Sequence, residues 1–127
     1  MALDNPRGDA RPVDDWCAVS QGGVTVDGND CIIGINAGTS VVKAVAFDHA
    51  GREVCSHETP FEPHRPHALW VEQDMNQLWT TVQEGILAVA GELKDRGIRL
   101  SGIGITSTGD GTFLIDAGGR PVRNGIL

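Results

Sequence analysis

The hydrophobic pattern of the chain changes abruptly at Cys31. Ahead of it, residues 1–30 scatter Asp, Pro and Gly among few large apolar groups beyond Trp16, with no period of two or of 3.6. That stretch is expected to be a disordered N-terminal extension, and Val24-Thr25-Val26 is too short to count as a strand. From Cys31 two β-branched apolar runs, Ile32 to Ile35 and Val41 to Phe47, flank the small polar turn Asn36-Ala37-Gly38-Thr39-Ser40. His49-Ala50-Gly51-Arg52 reads as a second turn and Glu53 to Thr59 as a third strand. Links this short predict an antiparallel three-strand meander. Pro60, Pro63 and Pro66 then break the ladder, since proline has no N–H to donate, and the chain is expected to cross the surface as far as Trp70.

A period of 3.6 takes over next. Leu78, Val82, Ile86, Val89 and Leu93 recur at helical spacing, with Asp74 as N-cap, Gln77 three residues on in the capping-box position, and Gly97 as a left-handed stop. Gly85 and Gly91 each cost about 1 kcal/mol relative to alanine, so this helix depends on packing. Leu100, Ile103 and Ile105, with small residues between, predict a buried strand, and the connection through a helix makes it parallel to its partner. Gly111 to Ile115 and Val122 onward flank Asp116-Ala117-Gly118-Gly119-Arg120-Pro121, which reads as a hairpin turn. The last residues, Gly125-Ile126-Leu127, stand in an apolar run without a cap, as expected of a truncated domain.

Composition narrows the class without naming it. The chain has 127 residues, 40 % hydrophobic and 21 % charged, as in one ordinary globular domain. A net charge of −7 argues against nucleic acid, which needs a basic stripe. Cys17, Cys31 and Cys55 fit neither a disulfide framework nor a metal knuckle and read as reduced thiols. No run approaches a membrane span or a signal-peptide core, which gives a cytoplasmic expectation and no membrane partner.

The turn at Asn36 to Ser40 carries the chemistry. Its side chains are small, so its backbone amides stay accessible, and a concavity of amides binds anions, phosphate above all. Followed by Lys43, and placed after the first strand of a meander that continues through a helix to a parallel strand, it resembles the nucleotide-phosphate motif of the actin-like (ribonuclease H-like) ATPase fold, an α/β class. Trp70-Val71-Glu72-Gln73-Asp74, Gly102-Ile103-Gly104-Ile105-Thr106 and Asp116-Ala117-Gly118-Gly119-Arg120-Pro121-Val122 narrow the likeness. In that order they resemble the N-terminal domain of the FGGY carbohydrate kinases, of the xylulokinase and erythritol kinase kind, over residues 31–127.

The resemblance implies an ATP-dependent kinase that transfers the γ-phosphate to a sugar or polyol hydroxyl, with Mg²⁺ as metal. Asn36, Ala37, Gly38, Thr39, Ser40 and Lys43 would then meet the ATP phosphates. Thr108, Gly109, Asp110 and Gly111, at the carboxyl end of a strand where open α/β sheets bind ligands, would contact the sugar or polyol, with Asp110 accepting from its hydroxyls. Trp70 would shape the sugar cleft, supported by Glu72 and Gln73; a plain cap and hydrophobic anchor is the other reading of Trp70. The family's general-base aspartate is expected downstream of Leu127, so no catalytic residue is assigned and the fragment alone is expected to be inactive. A homodimer of a full-length version is compatible with the resemblance.

Two departures bear on activity. The family usually has aspartate where this chain has Asn36, and asparagine keeps the shape but loses the anion that hard Mg²⁺ prefers, leaving Asn36 at best a weak, indirect metal partner. Asparagine also serves a tight turn for purely structural reasons. Many relatives carry Gln-x-His-Gly where this chain has Gly109-Asp110-Gly111, which is closer to the erythritol and polyol kinase branch; a solvated turn aspartate is the other reading. His57, His64 and His67 with Cys55 match no metal spacing, and Gly102-x-Gly104 lacks the third glycine of a dinucleotide site. The alternative to a kinase domain is a non-catalytic actin-like module that binds a nucleotide or a partner protein.

Overall fold

Period-two alternation puts Cys31, Ile33, Ile35 and Ala37 on one side of strand β1 (Asp30–Ala37), and all four are buried. This is a computed structural model, and it describes residues 29–127. The expected N-terminal extension and Val24 to Val26 lie outside the described residues, except that Asn29 and Asp30 belong to the folded unit. β1 starts one residue ahead of the expected boundary, and Asp30, buried, receives both arms of Arg99.

β2 (Val41–Phe47) and β3 (Glu53–Pro60) complete the expected antiparallel meander, and β6 (Arg99–Ser107) joins β1 in parallel, so the sheet runs β3-β2-β1-β6. Helix α1 (Met75–Asp95) covers one face. Val82, Val89 and Leu93 are buried against the sheet, Leu78 and Ile86 partly so, as their spacing predicts. Burying side chains of this size contributes about 1.5–3 kcal/mol each. Gly85 allows the close approach: a Cβ there would stand 3.3 Å from the Ala44 methyl. Asp74 caps the start by accepting from Asn76 N (2.8 Å) and Gln77 N (3.1 Å). Only this half of the capping box forms; among the described residues no bond returns from the Gln77 side chain to the Asp74 amide. At the other end Gly97 takes φ 68°, its N–H donating to Lys94 O and that of Ile98 to Leu93 O, the paired closure that satisfies orphan carbonyls.

The expectation of a buried β6 is corrected. It is the edge of the sheet, and Ile105, 60 % exposed, and Ile103 lie uncovered although they pair with the buried Ile35 and Ile33. A single helix is only about 10–12 Å across and strands lie ~4.8 Å apart, so α1 shields β1 to β3 and leaves the fourth strand open. The surface crossing expected from Pro60 to Trp70 is corrected too. His64–His67 forms β4 and Trp70–Gln73 forms β5, an antiparallel pair extended by β7 (Gly125–Ile126) into a second sheet, β4-β5-β7. Pro66 is tolerated because it falls at the register irregularity between His64 and His67, on an edge strand where a missing N–H costs no ladder bond.

The final expected hairpin keeps its turn and loses its strands. Gly111 to Ile115 contributes only isolated bridges, Thr112 to Ile126 and Ile115 to Pro121. Around Asp116 the geometry repeats that of Asp48. Asp48 Oδ1 accepts from Ala50 N and Arg52 N, its N–H donates to Arg52 O, and Gly51 stands at φ 74°. Asp116 Oδ1 accepts from Gly118 N and Arg120 N, its N–H donates to Arg120 O, and Gly119 stands at φ 77°. Each aspartate also pairs with the arginine four residues on.

Candidate functional site

The face of the four-stranded sheet turned away from α1 is open. Residues that alternate to this side form rows across the strands, and the row at the carboxyl end of β1 is Glu58, Lys43, Asn36 and Thr106, from β3, β2, β1 and β6 in turn. The next row substitutes Val45, Gly34 and Gly104, so the floor drops. Gly34 lies under Phe47, whose ring edge would be 3.4 Å from any Cβ added there. The result is a shallow groove of about 440 Å³ lined by Gly34, Asn36, Lys43, Phe47, Gly104 and Thr106 among others. Thr106 went unassigned at the sequence level; strand parity combined with a parallel register points to it, because it faces the same way as Asn36.

The small polar stretch divides in two. Asn36 and Ala37 lie inside β1, and the turn proper is Gly38 to Ser40. Gly38 N–H donates to Val41 O at 3.1 Å, and a Cβ on residue 38 would stand 2.8 Å from that oxygen, so only glycine fits. Thr39 and Ser40 do not take positive φ, so this is not one of the primed turns that two-residue hairpins favour. The carbonyls are held by the protein: Gln73 Nε2 donates to Gly38 O (3.1 Å) and Phe61 N–H to Ser40 O (2.9 Å). Among the described residues no acceptor reaches the amides of Thr39 and Ser40. Of the amides expected to meet phosphate, Ala37 lies inside β1 and Gly38 is committed to Val41, which leaves those of Thr39 and Ser40 without a protein acceptor.

Because β1 and β6 are parallel and Ala37 pairs with Ser107, the Gly38 to Ser40 turn and the Thr108 to Gly111 loop leave neighbouring strands at the same end of the sheet. Asp110 is exposed on that loop. Trp70 stands elsewhere, in β5, with its ring edge-to-face against His67 at 4.6 Å. The 190 Å³ cavity beside it is lined by Leu69, Trp70, Val71, Glu72, Arg123, Ile126 and Leu127, none from the Thr108 to Gly111 loop. Glu72 is clamped there by Arg123 and by Asn124 Nδ2 at 3.2 Å. The buried Gln73, at the far end of β5, is the member of that segment that reaches the turn.

Electrostatics separate the phosphates from the metal. Lys43 Nζ lies 2.6 Å from Glu58, whose hydrogen bond holds the ammonium above its ordinary pKa; it stays charged, but its field at the turn is largely offset by its partner. Two uncommitted amides and the Thr39 hydroxyl suit phosphate oxygens. For Mg²⁺ the turn offers the neutral Asn36 side chain, and among the described residues no group of three His, Cys, Asp or Glu converges on a metal position. The residues present fit a polyphosphate and not a tightly held metal. Burial raises the pKa of the Cys31 and Cys55 thiols, both free, so neither is a poised nucleophile.

Comparison with known proteins identifies the family and the fold. The profile of the FGGY family of carbohydrate kinases, N-terminal domain, matches residues 31–127. A glycerol kinase of Enterococcus faecalis is 35 % identical over 100 residues, which are 76 % of this chain and 19 % of that protein. The L-xylulose/3-keto-L-gulonate kinase of Escherichia coli is 35 % identical over 95 residues, 75 % of this chain and 19 % of its own length. The crystal structure of a xyloylose kinase from Brucella ovis superposes with a TM-score of 0.70 at 32 % identity, covering 76 % of this chain and 20 % of that one. Plasmodium falciparum glycerol kinase with ADP, at 24 % identity, shares the fold with a TM-score of 0.72 over 77 % of this chain and 20 % of its own. The chain thus spans about a fifth of the length of the relatives it matches. It belongs to the FGGY family of carbohydrate kinases, through that family's N-terminal domain.

Proposed function

We propose that residues 31–127 are the sugar-binding, N-terminal part of a cytoplasmic ATP-dependent kinase for a small polyol or ketose, contributing a phosphate turn and an acceptor loop. The observation that carries this reading is the side-by-side exit of the Gly38 to Ser40 turn and the Thr108 to Gly111 loop from the paired ends of β1 and β6. Phosphoryl transfer asks for donor and acceptor to be held together and for developing charge to be offset, and in this reading the sheet end would hold the two side by side. ATP would lay its phosphates on the amides of Thr39 and Ser40, and Asp110 would accept from hydroxyls of a tetritol or pentulose. Trp70 and Glu72 line the separate β5 cavity, so in this reading they would shape a wall outside the Thr108 to Gly111 loop, while Gln73 reaches the turn. Mg²⁺ would arrive with the nucleotide.

A polypeptide of these 127 residues is expected to bind and not to turn over. The test is thermal unfolding of the chain with erythritol, with xylulose and with inorganic triphosphate, alongside an assay for ATP-dependent phosphorylation of the polyol and of the ketose. Stabilisation by a polyol and by triphosphate, without product, is the expected result. A chain that responds to neither is an interaction module instead, and measurable product would refute the predicted inactivity. Asn36→Asp should make triphosphate binding more Mg²⁺-dependent than in the parent chain; an unchanged dependence would remove Asn36 from the metal's surroundings.

A further inference from the structure

Gln73 is 1 % exposed, 35 residues from the phosphate turn in sequence, and bonded to it in space. Its Nε2 donates to Gly38 O at 3.1 Å, while its Oε1 is buried with no hydrogen-bond partner. A buried amide oxygen left unsatisfied costs free energy, and an apolar side chain of the same size would avoid that cost. The amide is thus a poor choice for packing alone. Its position explains what it does. In an ordinary two-residue hairpin the Gly38 carbonyl would accept from Val41 N–H, closing the pair that Gly38 N–H and Val41 O begin. That return bond is not made, and Gly38 O turns inward to Gln73. With the carbonyl drawn inward, the trans peptide plane between Gly38 and Thr39 is fixed, and the Thr39 amide has to point the opposite way, away from Gln73.

We propose that Gln73 is the positioning residue of the phosphate turn, holding the Gly38–Thr39 peptide so that the Thr39 amide, next to the uncommitted Ser40 amide, faces an incoming polyphosphate. It acts through the backbone and does not itself touch the ligand. This deepens the functional reading above and rests on it for the identity of the ligand. It also assigns a task to the short β4-β5 hairpin: β5 carries the group that sets the turn, so the second sheet and the first are joined at the site.

The test uses the 127-residue chain with Gln73→Met, which keeps the volume and removes both polar atoms, and Gln73→Glu, which supplies a donor only when protonated. The probe is inorganic triphosphate, measured by calorimetry, with amide NMR spectra recorded in parallel. In Gln73→Met we expect the Gly38, Thr39 and Ser40 amide signals to shift and broaden, and triphosphate to bind at least about tenfold more weakly, while unfolding remains cooperative. In Gln73→Glu, affinity expressed as a ratio to the parent chain at the same pH should recover as pH falls and the buried carboxyl takes up its proton; a purely structural role would not produce that profile. Turn signals in Gln73→Met that match the parent chain, or a Gln73→Glu ratio flat with pH in a folded protein, would overturn the proposal. Should the parent chain not bind triphosphate, the phosphate reading fails, and the amide spectra of the two variants still decide whether Gln73 orients the turn.

Discussion

Two turns in this chain have the same sequence logic and different fates. Asp48 to Arg52 and Asp116 to Arg120 share the aspartate that accepts two backbone amides, the glycine at positive φ and the closing arginine. The first joins β2 to β3 under α1, and its strands run unbroken for seven and eight residues. The second is held by isolated bridges, and Leu114, Ile115 and Val122 around it are exposed. Local chemistry makes a turn, but it does not make a hairpin. Strands persist where one face is buried, and nothing in residues 29–127 covers the second turn's flanks.

The largest expected effect separates the two regions by burial. Leu93→Ala, at a site 1 % exposed under the sheet, should cost about 2–5 kcal/mol of unfolding free energy. Ile115→Ala beside the second turn should stay within about 0.5 kcal/mol. Denaturant unfolding of both variants checks this, and comparable losses would mean that the second turn is part of the core. A finer break uses the glycines. Alanine at position 51 or 119 pays the left-handed penalty, about 1–2 kcal/mol. At Gly51 that cost should appear in global stability; at Gly119 it should appear as faster local hydrogen exchange, with the melting temperature unchanged, because a weakly anchored turn opens by itself. The smallest effect is electrostatic. The Asp48 carboxyl is held below the usual carboxylate range, first by the Arg52 backbone N–H and further by the Arg52 side chain and the Ala50 amide. Its folded pKa is the lower one, so its contribution is complete above the unfolded value and is lost as pH falls through the folded value. Asp48→Asn should flatten the acid limb of a stability profile below about pH 4, and an unchanged limb would show that this turn contributes nothing there.

Much of the central layer was legible because its signals are local. Apolar alternation marked β1 and β2, a 3.6 period marked α1, and Asp74 and Gly97 marked its ends. The crossover rule gave β6 its direction. Its exposure is not legible, because Leu100, Ile103 and Ile105 state only that the strand wants cover, and whether cover exists depends on how far one helix reaches. The β4-β5 hairpin was hidden by its prolines, since an edge position that excuses Pro66 is a property of the assembled sheet. The candidate site divides in the same way. Small residues mark the Asn36 to Ser40 turn, and strand position with the family resemblance marks the Thr108 loop, whereas the pairing of Lys43 with Glu58 and the reach of Gln73 to Gly38 join residues distant in sequence and leave no periodic trace.

The contrast between the two turns also isolates what is special about the one at Gly38. It is the turn whose carbonyls are held by β5 and by Phe61 and whose outer amides are free. The most direct test is an amide NMR titration of the 127-residue chain with inorganic triphosphate. Saturable shifts at Thr39 and Ser40, spreading to Asn36, Lys43 and Thr106 while Asp116 to Arg120 stay still, are the predicted result. Shifts centred on Arg120 and Arg123 with Thr39 and Ser40 unmoved would contradict it.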